Sequence, residues 1–515
     1  MDIVKFLQNG WPLGYVRDTW PDCTQRRNHA GAREFPEFID AWLIREVELG
    51  RMRGPFASPP LENFVVSPLN TVEKSDSTER RVIVDLSWPH GRSVNYGIDL
   101  TILYSETIDG LRYPSIDNII ALVNAYGSGC FLYKCDLRAA YRQFRVAEKD
   151  FHLLGYFWKG AYYYDCRLCM GQRSAAFACQ SATGAVAFIH NSRGGSVVVY
   201  IDDFIGVDSP LNAKQSFRDL RALLKELGLE ENESKACLPA TEQVCLGVLI
   251  NSVDMTISIT QSRLDDIRRL VDAWARKRLA TKTELQSLIG KLMFVSKCVR
   301  SARIFVNRLL ERLRYLKGAQ KCKLTEEFRK DIRWWRTFLA THNGVSILPV
   351  ESWSAMDALF ATDACLTGAG GIMHSAKSYF HVEFPEFIRA QLLDIHHLEL
   401  LAVVIAVKLW AHLLMGQRVL IACDNESSVY ALNSGRSRDS RGVVGACLRE
   451  LWLVCSHNQV ELRAVHIAGV DNRQPDWLSR WHLGANYKAL FLDSVGSFYH
   501  DCFIEDDLFL LNPIF

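Results

Sequence analysis

Two aspartates stand side by side in a stretch that otherwise has the composition of a buried β-strand. The segment VVVYIDDFIGVD, residues 197–208, is rich in β-branched and aromatic residues on both sides of Asp202 and Asp203. A buried carboxylate without a partner is costly, and two adjacent carboxylates repel each other. The segment therefore predicts a β-hairpin whose turn carries both acids and whose apolar flanks hold that turn rigid.

A third acid is placed in a comparable way. Asp136 ends the strand-like run FLYKCDL, which brings its carboxylate to the end of another buried strand. Carboxylates that converge at strand ends are the ligands that hard divalent cations such as Mg²⁺ require. Two such ions can activate a hydroxyl group and stabilise a leaving pyrophosphate. We therefore expect cations and substrate phosphates, rather than a protein cation, to compensate the charge of Asp202 and Asp203.

The residues around these acids resemble the palm of reverse transcriptases. The motifs KCDLRAAYRQF and YIDD are similar to the two segments that carry the catalytic aspartates of that family. The resemblance implies that Asp136, Asp202 and Asp203 hold two Mg²⁺ ions, with Mn²⁺ as an alternative metal, and catalyse DNA synthesis. It also implies an α/β (α+β) fold, a right-hand polymerase with fingers, palm and thumb, followed by a second α/β domain described below.

Further motifs follow in the order that the family has. EKSDSTERRVIVDLS resembles the fingers motif, which places Lys74 and Arg81 on the incoming triphosphate. Tyr141 falls on the steric gate, where a bulky ring would clash with a ribose 2′-OH and so favour dNTPs. The resemblance assigns the remaining positions to the glycine motif MGQRSAAFACQ, to the lysine of LGLEENESKACL and to a primer grip in CLGVLI: Gly171, Lys235, Leu246 and Gly247.

Two observations qualify these nucleotide-binding assignments. Surface charge is the alternative interpretation of Lys74, Arg81 and Lys235, because single basic residues are common on solvated faces. The chain also has Cys169–Met170 and Ala176 near positions where the family usually has prolines. We therefore expect the template-side loop to differ in shape, although no acid is lost.

Positive charge is concentrated in one part of the chain. Residues 263–336 contain 21 Lys and Arg and 8 Asp and Glu, whereas the whole chain has a formal net charge of only +2. Apolar residues recur there at three- and four-residue spacing, which is typical of amphipathic helices. A solvated helical face is the alternative, but so large an excess in one segment favours contact with a polyanion. The resemblance makes this region the thumb, which follows a duplex through its phosphates.

Four more acids form a second set towards the C-terminus. They lie at two strand ends, on one apolar helix and at a helix start: Asp363, Asp424, Glu399 and Asp476. Taken singly, each acid has an ordinary explanation as a helix cap or an ion-pair partner. Taken together, four such acids can surround two Mg²⁺ ions.

The second set resembles the active site of ribonuclease H. The surrounding patterns TDAxxxGxGG and HxxGxxNxxxD support this, and the acids occur in the family's order. The resemblance implies cleavage of RNA in RNA–DNA hybrids. It also gives His466, ten residues before Asp476, the role of a mobile histidine that assists product release, with a satisfied core histidine as the alternative.

The pattern predicts six parts in the chain. They are an N-terminal segment (1–60), reverse transcriptase fingers and palm (61–258), a basic helical thumb (259–345), a linker (346–354), an RNase H-like domain (355–482) and a C-terminal tail (483–515). The sequences GWPLGY, LSWPHGRSVN and LQSLIGKLMFVSKCVRSARIFVNRLLERL are most similar to DIRS- and Ngaro-type retrotransposons, which integrate with a tyrosine recombinase. Gypsy-type elements are the next most similar.

The resemblance implies an RNA template, a DNA or RNA primer, an RNA–DNA hybrid and dNTPs as partners, with recombinase or Gag-like proteins on separate chains as further candidates. The longest apolar run, residues 400–407, is far shorter than the roughly 20 residues that span a bilayer, and no signal peptide is evident. We therefore expect an intracellular protein of the cytoplasm or nucleus that makes no membrane contact. The 15 cysteines lack zinc-site spacing, so we expect reduced thiols.

An alternative function belongs to a different class. The chain could be an inactive or domesticated retroelement protein that binds nucleic acid without efficient catalysis. All seven implied metal-binding acids are present, which favours an active polymerase with RNase H activity.

Overall fold

The computed structural model describes residues 3–16, 21, 27–73, 80–103, 113–299, 302–314, 316, 321–342, 344–347, 357–435, 439 and 441–513. The chain forms two compact units, Met1–Gln243 and Val244–Phe515, and each has its own core. The six-part division predicted from the sequence is finer than these two units and stays a prediction. Most of the predicted linker, residues 348–354, lies outside the described residues.

The first unit combines helices with short antiparallel strands. Its described helices are α1 (Ile3–Asn9), α2 (Ala30–Glu34), α3 (Pro36–Glu48), α4 (Val94–Gly97), α5 (Leu100–Leu103), α6 (Ile116–Tyr126), α7 (Ala175–Ser192) and α8 (Ala213–Glu226). Its described strands are β1 (Met52–Phe56), β2 (Leu69–Glu73), β3 (Arg80–Val84), β4 (Phe131–Asp136), β5 (Gly155–Trp158), β6 (Ala161–Asp165), β7 (Val197–Tyr200), β8 (Asp203–Asp208) and β9 (Cys237–Ala240).

The central sheet of the first unit has the strand order β7–β8–β4–β9, and its pairs are antiparallel. Smaller sheets, β1–β6–β5 and β2–β3, lie in the same unit. Helices α6, α7 and α8 pack on the central sheet. Because β4 and β8 are buried along almost their whole length, their ends are rigid supports for whatever side chains they carry.

The N-terminal segment belongs to the core of the first unit. Trp11 is 1% exposed, its backbone N–H donates to the carbonyl of Arg145 at 2.7 Å, and its own carbonyl accepts from Ala147 at 3.0 Å. The guanidinium of Arg142 donates to Glu46 Oε2 of α3 at 2.8 Å. These contacts tie α3 and the residues before it to the unit that carries the paired aspartates.

The second unit begins with short strands and a helical region and ends with a larger sheet. Its described helices are α9 (Gln261–Ala275), α10 (Lys282–Cys298), α11 (Arg303–Arg314), α12 (Glu326–Thr341), α13 (Glu386–Arg389), α14 (Ile395–Leu414), α15 (Glu426–Ser434), α16 (Val443–His457), α17 (Arg473–Ser479) and α18 (Ala485–Ser494). The strands from the unit boundary onwards are β10 (Glu242–Cys245), β11 (Val248–Asn251), β12 (Thr256–Ser258), β13 (Leu279–Ala280), β14 (Cys322–Lys323), β15 (Val345–Ile347), β16 (Phe360–Ala364), β17 (Gly368–Met373), β18 (Ser378–Glu383), β19 (Arg418–Cys423), β20 (Glu461–His466) and β21 (His500–Asp501).

The larger sheet has the order β20–β19–β16–β17–β18–β21. Strands β16, β19 and β20 run parallel to each other, whereas β17 runs antiparallel to its two neighbours. Helix α14 packs on β16 and β17. Within the described residues α14 is the one helix whose length and hydropathy would suit a membrane span, and 72% of its most apolar window is buried inside the fold. The apolar surface of α14 is therefore largely buried in the core of the second unit.

The C-terminal tail extends the larger sheet. Strand β21 pairs with β18, with Ser378 opposite His500 and Tyr379 opposite Asp501. The ring of Tyr379 packs against Phe491 of α18 at a centroid distance of 4.7 Å. The tail is thus a structural part of the second unit.

A buried ion pair joins the basic helical region to the larger sheet domain within the second unit. Arg449 of α16 has no exposed surface, and its guanidinium lies 3.0 Å from Asp331 and 2.6 Å from Glu327, both in α12. The indole N–H of Trp334 donates to the carbonyl of Arg449 at 2.9 Å. Since Asp331 is 2% exposed, water cannot replace the arginine as its partner.

Arg449→Ala is expected to lower the free energy of unfolding of the second unit by about 3–5 kcal/mol, because Asp331 loses the cation that faces it in a buried environment. Urea denaturation followed by tryptophan fluorescence measures the change. The matched control is Arg389→Ala, whose exposed pair with Glu383 should contribute at most about 1 kcal/mol. Equal denaturation midpoints for the two variants would contradict this role of Arg449.

Candidate active sites

Strands β7 and β8 form the tight hairpin that the sequence predicts. Tyr200 pairs with Asp203 across it, which leaves Ile201 and Asp202 in the turn. Ile201 has a φ of +59°, a left-handed conformation that a β-branched residue adopts only when its surroundings hold it there. The turn therefore depends on neighbouring groups for its shape.

Helix α7 supplies these groups. The side-chain amide of Gln180 donates to the carbonyl of Val199 at 2.9 Å and accepts from the N–H of Ile201 at 2.6 Å. Thr183 Oγ1 donates to the carbonyl of Ile201 at 2.8 Å. Both side chains are at least 95% buried. Sequence reasoning missed this pair, although two polar residues on the buried face of an apolar helix are the signal that would have found them.

Asp136, Asp202 and Asp203 converge. Asp136, at the end of β4, is the direct cross-strand partner of Asp203 at the start of β8. The pKa of Asp202 is raised, first by burial and then by the negative charges of Asp136 and Asp203. A repulsion of this kind requires that the three carboxylates lie close together.

Two lysines face these acids, which corrects the expectation that no protein cation would compensate them. Lys235 Nζ lies 3.0 Å from Asp136 Oδ2, and Lys134 Nζ lies 3.5 Å from Asp203 Oδ1. The hydrogen bond to Asp136 is the main reason that the pKa of Lys235 is raised. Lys134 precedes Asp136 by two residues on the same face of β4, so strand alternation could have predicted its position. The position of Lys235 depends on tertiary structure.

A cleft of about 800 Å³ opens beside the paired aspartates. Five of the predicted site residues line it together: Arg81, Asp136, Tyr141, Asp202 and Lys235. Burial, followed by nearby acidic groups, raises the pKa of Tyr141 to about 12, so its phenol stays neutral. Lys74 lies outside the described residues.

Gly171 lies against strand β3 near this cleft. Its φ is +101°, and a Cβ on it would be 2.7 Å from the carbonyl oxygen of Val84. Only glycine combines that backbone conformation with so close an approach. The neighbouring Met170 lines the cleft, and its sulfur is 3.9 Å from the guanidinium of Arg81.

The residues predicted as a primer grip belong to the second unit. Leu246 and Gly247 form the turn between β10 and β11, with φ values of +49° and +81°. A Cβ on Gly247 would meet the ring of Phe294 in α10 at 3.2 Å. The turn therefore packs directly on the basic helical region.

The larger sheet brings the second set of acids together. Ala361 pairs with Ala422 in the parallel strands β16 and β19. The same register, continued by two residues, places Asp363 beside Asp424. Asp363 is 5% exposed and accepts a hydrogen bond of 2.6 Å from Ser479 Oγ of α17.

Glu399 and Asp476 complete this four-acid group. Burial and the charges of Asp363 and Asp424 raise the pKa of Glu399 to about 9, and Asp476 adds to the effect. The pKa of Asp363 rises to about 7, mainly through burial and further through Asp424 and Asp476. Oε2 of Glu399 is buried and has no hydrogen-bond partner among the described residues. Crowded carboxylates with an unsatisfied buried oxygen fit a divalent cation, whose charge would relieve the repulsion.

Several neighbours of the four-acid group were found only in the structure. Arg480 lies 2.7 Å from Asp476, and the buried side chain of Asn472 donates to the carbonyl of Thr362 at 3.1 Å. Helical spacing from Asp476 was the signal in the sequence that could have found these neighbours. Asn472 lies four residues before Asp476, Ser479 lies three residues after it and Arg480 lies four residues after it. The exposed His466 ends β20, and its Nε2 lies 3.1 Å from the carbonyl oxygen of Asp424.

Comparisons with known proteins show the fold. No family model matches the sequence, and no curated protein matches it. A solved structure of the foamy viral protease-reverse transcriptase dRH in complex with double-stranded DNA aligns with 88% of this chain and 73% of its own, with a TM-score of 0.50 and 13% identity. Two further structures of the foamy viral protease-reverse transcriptase, with an RNA/DNA hybrid and with double-stranded DNA, align with TM-scores of 0.48 at 16% and 13% identity. The alignment with the hybrid complex covers 88% of this chain and 56% of the foamy viral chain. The alignment with the double-stranded DNA complex covers 87% of this chain and 86% of the foamy viral chain.

The predicted fold class is confirmed: the chain has a mixed helix and sheet fold that matches reverse transcriptase structures with polymerase and RNase H-like domains. At 13% identity the likeness concerns the fold and not the activity.

Proposed function

We propose that the protein is an RNA-directed DNA polymerase with RNase H activity that serves the replication of a retrotransposon. The observation that carries the proposal is the convergence of Asp136 and Asp202 in a cleft with Arg81, Tyr141 and Lys235. A second, separate group of four acids lies on the same chain. A polymerase that copies RNA leaves an RNA–DNA hybrid, and a nuclease on the same chain removes the RNA strand.

In the polymerase site, Asp136, Asp202 and Asp203 would hold two Mg²⁺ ions. When bound, the ions supply the positive charge that stabilises the reacting phosphate and polarises the primer hydroxyl. The protein contributes further positive charge, since Arg81 and Lys235 face the triphosphate of the incoming nucleotide. The fixed turn, held by α7, keeps Asp202 at the rim of the cleft.

In the nuclease site, Asp363, Glu399, Asp424 and Asp476 would hold a second pair of Mg²⁺ ions, whose positive charge would favour ionisation of the attacking water and stabilisation of the cleaved phosphate. Mn²⁺ has similar ligand preferences at both sites. His466 is proposed to assist the release of product. The 2′-OH groups in the minor groove of the hybrid distinguish the RNA strand from the DNA strand.

The proposed partners are an RNA template, a DNA or RNA primer, the hybrid and dNTPs. Double-stranded DNA bound by the foamy viral protease-reverse transcriptase dRH supports a duplex ligand for this fold. Within retroelements we propose a DIRS- or Ngaro-type origin, on the motifs near the N-terminus, in the fingers and in the thumb. A recombinase or Gag-like protein on another chain would then complete the element.

Incorporation of dNTPs on a poly(rA)/oligo(dT) template with Mg²⁺ tests the proposal. We expect primer extension and cleavage of the RNA strand by the same preparation, and no extension without a divalent cation. A well-folded protein that binds the hybrid but neither extends nor cleaves it would instead support the alternative, a domesticated nucleic-acid-binding protein.

Tyr141→Val is expected to raise the relative incorporation of ribonucleotides about tenfold to a hundredfold, because the smaller side chain removes a clash of about 1–3 kcal/mol with the 2′-OH. The measurement is the ratio of kcat/KM for a dNTP and for the corresponding rNTP. Tyr126→Val, a tyrosine on α6 that does not line the cleft, serves as the control. Unchanged selectivity in Tyr141→Val would remove Tyr141 from the steric gate.

A further inference from the structure

A sulfur atom lies within the nuclease carboxylates. Cys423 is the last residue of β19 and directly precedes Asp424. Its Sγ and one carboxylate oxygen each from Glu399 and Asp424 lie within 4.8 Å of one another. The thiol has no exposed surface, and its described hydrogen bonds are weak ones to Asn425: the sulfur accepts from the backbone N–H at 3.5 Å and donates to the carbonyl oxygen at 4.0 Å.

The buried carboxylate beside this sulfur points to a ligand. Glu399 is 4% exposed, and its Oε2 has no hydrogen-bond partner among the described residues. An unsatisfied carboxylate oxygen in so dry a place is destabilising unless a cation or a proton satisfies it. The sulfur and two carboxylates therefore form a ready set of three ligands.

We propose that Cys423, Glu399 and Asp424 form a binding site for thiophilic divalent cations such as Cd²⁺ and Zn²⁺, and that occupation of this site inhibits the nuclease. Carboxylates alone favour Mg²⁺ and Mn²⁺, whereas a thiolate among the ligands selects softer ions. Zn²⁺ in particular binds combinations of Cys and carboxylate side chains. Coordination replaces the S–H bond by a metal–sulfur bond and releases one proton to solvent.

Inhibition follows from the shared ligands. Glu399 and Asp424 belong to the four-acid group that would hold the catalytic Mg²⁺ ions, so a soft ion held by Cys423 as well would displace them. This part of the inference rests on the proposed nuclease function. Binding of the soft ion does not rest on that function, because it depends only on the side chains of Cys423, Glu399 and Asp424.

The first experiment measures binding without activity. The full chain is titrated with Cd²⁺ alone, and the ultraviolet charge-transfer band of the cadmium–thiolate bond is recorded. We expect Cys423→Ser and Cys423→Ala to lose one equivalent of this band, whereas Cys455→Ser, at another fully buried cysteine of the same unit, retains it. Equal bands in the wild-type protein and in both Cys423 variants would overturn the proposal.

The second experiment measures inhibition. Hybrid cleavage at fixed Mg²⁺ is followed as Cd²⁺ is raised, and the half-inhibitory concentration is expected to increase about tenfold or more in Cys423→Ser, since one ligand is lost. An unchanged half-inhibitory concentration would refute the inhibitory role. If wild-type protein binds Cd²⁺ through Cys423 but cleaves no hybrid under any condition, the proposed nuclease function fails while the metal site stands.

Discussion

Asp202→Asn is expected to lower primer extension on the order of 10³-fold while cleavage of the RNA strand persists, because one negative ligand of the proposed cations is lost at a cost of several kcal/mol. Asparagine has nearly the same shape as aspartate, and the backbone carbonyl of Asp202 keeps its hydrogen bond from Leu137 at 3.2 Å. The substitution also removes one of three mutually repelling charges. The fold of the first unit should therefore be unaffected.

The design uses the second activity as an internal control for folding. Steady-state extension and hybrid cleavage are measured on the same preparation, and Asp219→Asn, on the outer face of α8, provides a matched loss of one carboxylate. If Asp202→Asn and Asp219→Asn extend primers equally well, the hairpin acid is not catalytic. Loss of both activities in folded Asp202→Asn protein would show that the two sites are not separate.

Asp424→Asn is expected to produce the opposite result, a decrease in hybrid cleavage on the order of 10³-fold with primer extension retained. Asp424 contributes to the raised pKa values of both Glu399 and Asp363. Removing its charge therefore relieves repulsion inside the four-acid group, so a decrease in activity cannot be attributed to a destabilised site. The loss would instead reflect a missing ligand for the proposed ions.

The matched control for the second variant is Asp493→Asn, an exposed acid of α18 in the same unit. Gel analysis of a hybrid with a labelled RNA strand gives the cleavage rate, and the extension assay is run in parallel. Retention of full cleavage by Asp424→Asn would exclude the four-acid group as the nuclease centre. Together the two variants assign each activity to its own set of carboxylates.

Local patterns in the sequence accounted for the acids because each is bordered by a strong structural signal. The apolar flanks of Asp202 required a hairpin, and FLYKCD required a buried strand that ends on Asp136. Asp363 lies near the end of the buried run that forms β16, and Asp424 directly follows the run that forms β19. These features involve residues that are neighbours along the chain, so the local pattern of apolar and polar residues is sufficient to predict them.

The remaining features depend on residues distant in sequence, and no local period reports them. Lys235 reaches Asp136 across 99 positions of sequence, and Gln180 reaches Ile201 from a separate helix. The packing of Trp11 into the first unit and the pairing of β21 with β18 are likewise tertiary. The expectation that no protein cation would lie beside the acids was wrong for both Lys235 and Lys134, although strand alternation could have predicted the second of these.

The pairing of β21 with β18 determines where this chain can be divided for study. A recombinant nuclease fragment that stops at residue 482 would lack the strand that covers β18 and would also lack Phe491, which packs on Tyr379. The exposed backbone of β18 and the uncovered aromatic ring would then promote edge-to-edge association between molecules. A fragment that extends through residue 513 retains both contacts and keeps the first two residues of β18 paired.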